Sequence, residues 1–320
     1  MGASVEIHAR AVEMYEQITK NKRASLELLA NVVAIWLLLG LLIGFAITQT
    51  AAGGLDLVAC FGVLAVVLGL LAYYRGSSLL LRVSDAHEVG HDEAPQLWNV
   101  VEELSIAAGV PMPKVFIVDD LSPNSFATGR DPSHAAVVAT SGLLHRMDRE
   151  ELQGVMAHEL AHIRNYDVRY ATLVGVLVGM IALVSDYFLR STFFRMAGSR
   201  VRNLVGVLAL GAAVALAAVA PISARLVQLA ISRRREYLAD ASAVEITRNP
   251  LGLANALEKI DGDPRPVAVT NRAPAHLYIA NPIKRTSGDG LFDTHPPTRK
   301  RVAILRAMAG ADVSDDDAEI

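Results

Sequence analysis

Two segments of this 320-residue chain carry the pattern His-Glu-x-x-His, His87 to His91 and His158 to His162. Imidazoles four residues apart share one face of an α-helix and can grip a single zinc ion, with the intervening Glu beside the metal as general base. The flanks choose between the copies. The first lies in Ser84 to Pro95, where Gly90 costs about 1 kcal/mol in a helix interior and Pro95 bounds the segment within a turn. No apolar stripe supports a helix there, so this copy reads as solvated, partly irregular surface. The second copy follows Asp148, with Glu151 three residues on as a capping-box signal. At roughly 100° per residue, Leu152, Met156 and Ile163 form one stripe, Glu159 falls inside it, and His158 and His162 flank it. A carboxylate in a core-facing position needs a cation or a bound water, which a metal site supplies. The bland alternative is a pair of exposed histidines with Glu159 paired to a Lys or Arg.

A catalytic zinc takes three protein ligands and leaves one position for water. A His six residues past His162 would complete the short metzincin arrangement, but that position is Val168. Further on, Ser232 to Asp240 reads SRRREYLAD and offers Glu236 and Asp240 at i and i+4, on one helix face. Glu236 is the candidate third ligand, and Asp240 a candidate acceptor for the free ring N–H of one histidine. The same stretch also reads as a basic cluster flanking a membrane, its two acids incidental.

The elements that must position these residues belong to a chain that is 52% hydrophobic and only 20% charged, with mean hydropathy +0.34. The excess is concentrated in four runs. Leu28 to Thr48 and Leu55 to Tyr74 hold no Lys or Arg and are each long enough to cross a hydrocarbon core of about 30 Å. Tyr170 to Leu189 contains Asp186, and Leu204 to Ala220 runs into Pro221 and Arg225. The first run begins only after 27 residues and reads as an anchor rather than a cleaved signal. Arg10, Lys20, Lys22 and Arg23 precede the first pair, and Arg75 and Arg82 follow it. The positive-inside rule therefore puts the N-terminus and the stretch after Tyr74 in the cytoplasm.

Because His158 and His162 precede the third run and Glu236 follows the fourth, a shared ion requires an even number of crossings between them. Arg190, Arg195, Arg200 and Arg202 in the connection weigh against full crossing, so a partly embedded hairpin stands beside two complete spans. The net charge of -3 argues against a general nucleic-acid binder. The single Cys60 excludes an intrachain disulfide framework and any metal site built on two thiolates.

Patterning between and after the runs is α+β. Leu97 to Ala108 is helix-periodic and stops at Gly109, Lys114 to Val118 and Ala135 to Thr140 are β-rich, and Ser122 to Pro132 is turn-rich. Residues around Asp261 to Gly290 suggest loops and Thr298 to Ala309 a basic helix. The expected organisation is an N-terminal cytoplasmic amphipathic segment (1–27), a transmembrane hairpin (28–74), a first catalytic part (75–169), a second hydrophobic hairpin (170–231), a second catalytic part with the third ligand (232–311) and an acidic, disordered tail (312–320).

Together HELAH, SRRREYLAD, PNSFATG with VATSGLL, and the late THPPTRKR resemble the HtpX family of membrane-embedded zinc metalloproteases, relatives of the CAAX prenyl proteases. Four apolar runs rather than seven match the HtpX type. The resemblance covers nearly the whole chain and implies an α+β membrane protein, transmembrane helices joined to a mainly helical zincin-like (gluzincin) domain with a small β-sheet. It implies one zinc on His158, His162 and Glu236, Glu159 as the catalytic acid/base and Asp240 behind the ligands. It also implies His295 as hydrogen-bonding or oxyanion support, with Arg235 and Arg301 bracing the ligand helix. The first copy, at His87, has no counterpart in the family pattern.

The activity so implied is hydrolysis of misfolded or unassembled membrane proteins at the cell membrane, with a polypeptide substrate, the lipid bilayer and other quality-control proteases as partners. A substrate laid along a sheet edge satisfies its own backbone groups. The run Ala135 to Thr140, with Ala136 and Val138, is the expected edge, flanked by Asn124 and Phe126. The competing class is a membrane scaffold that keeps zinc without turnover. Glu159 discriminates, because a structural site has no use for a proton-transfer acid and closes its fourth position with a ligand.

Overall fold

Gly2–Thr48 forms one helix, α1, and Ala51–Val83 a second, α2. Within α2, Leu55–Val83 is, among the described residues, the one helix long and apolar enough to cross a membrane. Its Leu64, Val66, Leu70 and Leu71 are exposed, an apolar surface that hydrocarbon accepts and water does not. The computed structural model describes residues 2–48, 50–177, 233–265, 277–280 and 296–310. The expected runs Tyr170 to Leu189 (beyond 177) and Leu204 to Ala220, most of the 261–290 loops, His295 and the 312–320 tail lie outside them. The described residues divide into two units. One draws on residues up to Lys22, Ser77–Thr172 and those from Ala230 onward; the other draws on Arg23–Gly76 and those within Leu173–Leu229.

In the first unit the His87 copy is not a helix. His87–Glu88 is a two-residue exposed strand, β1, and Lys114 Nζ holds the Glu88 carboxylate at 2.9 Å. Helix α3, Pro95–Ala108, starts on a proline, whose missing N–H costs nothing in the first turn, and stops at Gly109, whose φ of 67° only glycine adopts without strain. Strands β2 (Lys114–Val118), β3 (Ser125–Gly129) and β4 (Ala135–Thr140) complete a sheet of order β1-β2-β4-β3. β2 and β4 are parallel; the other pairs are antiparallel.

This order corrects the expected substrate edge. β4 lies between β2 and β3, with Ala136 opposite both Lys114 and Thr128 and Val138 opposite both Phe116 and Phe126. An unbroken apolar run such as AAVVAT is what a strand buried on both faces looks like, and that describes a central strand better than an edge. Among the described residues the outer strand on that side is β3, which sits inside the stretch expected to be turn-rich. Val115, Ala127, Val137 and Ala139 pack on one face of the sheet and Phe116, Phe126, Ala136 and Val138 on the other.

Helix α4 (Ser141–Arg146) is capped by Thr140. Helix α5 (Arg149–Arg164) opens on the capping box, Asp148 accepting from the Glu151 N–H and Glu151 from the Asp148 N–H. α5 packs against α3, the β3 side of the sheet, α6 (Arg233–Thr247) and α7 (Pro250–Asp261), and α7 in turn carries α8 (Thr298–Met308).

The α5–α7 approach depends on Gly154. A Cβ there would lie 2.5 Å from the Leu253 amide nitrogen and 2.7 Å from its Cα. Alanine would otherwise favour mid-helix by about 1 kcal/mol, but backbone cannot rotate away as a side chain can. Gly154→Ala is therefore expected to destabilise the first unit by about 1–3 kcal/mol, the range of overpacked cores, read as a lower thermal midpoint. An unchanged or raised midpoint would remove the close-approach argument.

Candidate metal centre

α5 is buried along the middle of its length, and His158 and Glu159 are only 1% and 2% exposed. α6 crosses it with Ala239 and Ala243 buried at the contact; these small side chains let the helices approach closely. Glu236 and Asp240, one turn apart on α6, are thereby both buried.

The donor atoms converge. His158 Nε2 is 3.1 Å from His162 Nε2, and each lies 3.6 Å from an oxygen of Glu236. One atom from each of the three residues falls within 4.8 Å of the others. Tetrahedral zinc with bonds of about 2.0–2.2 Å separates its ligand atoms by roughly 3.3 Å, so these spacings suit one ion.

The opposite ring nitrogens explain which lone pairs are offered. His158 Nδ1 lies 3.0 Å from Asp240 Oδ1, and His162 Nδ1 lies 3.1 Å from Asp167 Oδ2. Ionised carboxylates only accept, so both Nδ1 atoms carry their protons, a tautomer assigned from the partners. The two Nε2 lone pairs then face the same point beside the Glu236 carboxylate, and a cation is what satisfies all three.

Local electrostatics make the same demand. Burial disfavours the His158 imidazolium, but Asp240 and Glu236 outweigh it and raise its pKa to about 9. Burial would also raise Asp240, yet Arg301 overrides it and holds that carboxyl at about 2. The Arg301 guanidinium donates Nε–H to Asp240 Oδ2 at 2.8 Å and Nη2–H to Oδ1 at 2.7 Å, and its own pKa is raised despite complete burial. Arg301 thus braces the acceptor of His158.

Glu159 Oε1 accepts the Ser125 hydroxyl of β3 at 2.7 Å. Burial pushes its carboxyl above the ordinary range, against the pull of His158, His162 and Ser125. That makes it a better proton acceptor than an exposed glutamate.

The other expected residues fall elsewhere. Asn124 is buried and donates its side-chain N–H to the Ala280 carbonyl at 3.1 Å. Phe126, Ala136 and Val138 pack on the sheet face away from α5. Arg235 lies over the Tyr170 ring at 4.9 Å. Two residues of the site were not singled out from sequence. Asp167 follows His162 by five positions across a turn, a spacing that no helical rule connects; Ser125 lies in a turn-rich stretch, inside the PNSFATG motif, with no role assigned to it there.

Residues 91–309 match the model of peptidase family M48. A protease HtpX homolog of Ligilactobacillus salivarius (strain UCC118) is 43% identical over 309 residues, 92% of this chain and 100% of that protein. One from Tropheryma whipplei (strain Twist) is 47% identical over 248 residues, 77% of this chain and 83% of that one. The crystal structure of S. mikatae Ste24p is similar at 19% identity with TM-score 0.48, covering 92% of this chain and 67% of that one. By its family match, its full-length relatives and its His/His/Glu cluster, the chain belongs to peptidase family M48, as a membrane-bound zinc metalloendopeptidase of the HtpX type.

Proposed function

We propose that this endopeptidase hydrolyses misfolded or unassembled membrane proteins in quality control, with His158, His162 and Glu236 as the zinc ligands and Glu159 as the acid/base. The observation that carries this is the buried Glu159 carboxylate, held by Ser125 at 2.7 Å next to the histidine pair. A scaffold that only needs zinc for rigidity has no reason to bury an acid there. Zinc bound at the cluster supplies a Lewis acid for the peptide carbonyl and lowers the pKa of a water toward about 7. Glu159 takes the proton of the attacking water and passes it to the leaving amine nitrogen. Asp240 and Asp167 hold the two imidazoles in the Nδ1–H tautomer throughout.

The extended substrate pairs with the outer side of β3. On that side Ser125 accepts from the Ile279 N–H and Gly129 donates to Thr172 Oγ1. Ala127, two residues from each, presents its backbone groups in the same direction by the strand period. The catalytic unit faces the cytoplasm, supported by the basic residues that flank the first two apolar runs, in a multi-pass chain.

The test is cleavage in proteoliposomes of a membrane protein presented folded or unfolded. Fragments are expected from the unfolded form, their production stopped by a chelator and restored by one equivalent of zinc. Equal cleavage of both forms would overturn the quality-control reading while leaving the peptidase; no cleavage of either would favour the scaffold.

A further inference from the structure

The turn after α5 ties the metal centre to the start of the chain. Asn165 returns its N–H to the Ala161 carbonyl at 3.0 Å and Tyr166 takes a left-handed φ of 61°. This reversal brings Asp167 back beside His162. One Asp167 oxygen accepts from His162 Nδ1, as above. The other accepts from the side-chain amide of Asn21, on α1 and 146 positions earlier, and the same amide donates to the Asn165 carbonyl at 2.9 Å. Asn21 is 1% exposed and Asp167 6%. Beside it, Lys22 lies over the Tyr166 ring at 4.3 Å and Arg169 over the same ring at 4.9 Å. Asn21 therefore binds both the turn and the acid that the turn delivers.

We propose that Asn21 is a positioning residue for the zinc site, acting on His162 through Asp167; this rests on His162 being a ligand. The two histidines are braced alike. Asp240 takes the N–H of His158 and is fixed by Arg301 of α8; Asp167 takes the N–H of His162 and is fixed by Asn21 of α1. A buried carboxylate that loses a donor must rotate toward another partner. That rotation releases the imidazole whose Nδ1–H it held, and the Nε2 lone pair then no longer points steadily at the ion. The segment before the first apolar run is on this account part of the metal centre and not only a leader to a membrane anchor.

The experiment measures zinc affinity by chelator competition on the full chain in detergent, for wild type, Asn21→Leu, Asp167→Asn, the double variant and His162→Ala. Partners behind metal ligands are worth about 10–100-fold in affinity, and Asn21 stands one bond further out. Asn21→Leu is expected to weaken zinc about tenfold while still reaching one ion per chain at saturation. With zinc saturating, kcat should fall and KM hold. The double variant should be no weaker than Asp167→Asn alone, because the proposed effect of Asn21 on His162 runs through Asp167. A merely structural Asn21 would lower the thermal midpoint and leave zinc affinity unchanged. Unchanged affinity in Asn21→Leu, or losses that add in the double variant, overturns the proposal. Zinc retained by His162→Ala overturns the ligand reading and the proposal with it, whereas zinc lost there and kept unweakened in Asn21→Leu overturns the proposal alone. Should Asn21→Leu not fold, Asn21→Ser, whose hydroxyl is too short to span both acceptors, carries the same expectation and the same refutation.

Discussion

Glu159→Gln is expected to bind one zinc per chain with near-wild-type affinity and to lose about 10²- to 10⁴-fold of its peptidase rate, the contribution of a positioned acid/base. The substitution is isosteric, and the amide oxygen still accepts the Ser125 hydroxyl that Glu159 Oε1 accepts at 2.7 Å. What is lost is a group able to take a proton from water and return it to an amine. The rival account, in which Glu159 only balances charge beside two imidazoles, makes the opposite forecast. Neutralising a buried carboxylate removes a desolvation cost, so the variant would be more stable and equally active. Zinc content, thermal midpoint and single-turnover cleavage of an unfolded polypeptide, measured together, separate the two. A variant that cleaves at the wild-type rate would end the role assigned to Glu159, whatever its stability.

The legible part of this protein was the part written within one turn or one strand. The capping box at Asp148 and Glu151, the helix it opens, the stop at Gly109 and the bounds of β2 and β4 all follow from neighbours in sequence. Gly90 and Pro95 are local signals against a helix at the His87 copy, and His87–Glu88 is an exposed strand. Features that need two distant segments were harder. β3 is framed by Pro123 and Gly129, so its five buried residues read as turn, and without β3 the central position of β4 was invisible. Asp167 reaches His162 only because Tyr166 turns left-handed, which a tyrosine does not advertise. Asn21 has no local signature at all; its meaning lies in a partner 146 positions away. The exception is Glu236 with Asp240, singled out across a long gap because metal chemistry demands a third ligand and helical spacing offers an acid pair.

That exception carries the second large effect. Glu236→Ala is expected to leave zinc bound at a small fraction of its wild-type affinity. Structural zinc sites bind with about 10–16 kcal/mol shared among four ligands, so one ligand is worth roughly 3–4 kcal/mol, or about 10²- to 10³-fold. Glu245→Ala on the same helix is the control, because that acid is half exposed and pairs with Arg164 at 3.7 Å, away from the cluster; zinc should be unaffected. The pH dependence sharpens the test. His158, raised to about 9 by Asp240 and Glu236 against its burial, must give up a proton for zinc to bind, so affinity should weaken as pH falls below that value. Removing Glu236 removes one of the two groups that hold the proton. The variant should therefore bind zinc more weakly at high pH and lose less of its affinity as pH falls. Zinc lost with Glu236 and kept with Glu245 would require the chain after the fourth apolar run to return to the side of the bilayer where His158 and His162 lie, which only an even number of crossings allows. Zinc kept at full affinity in Glu236→Ala would remove both the distant ligand and that constraint on the path between.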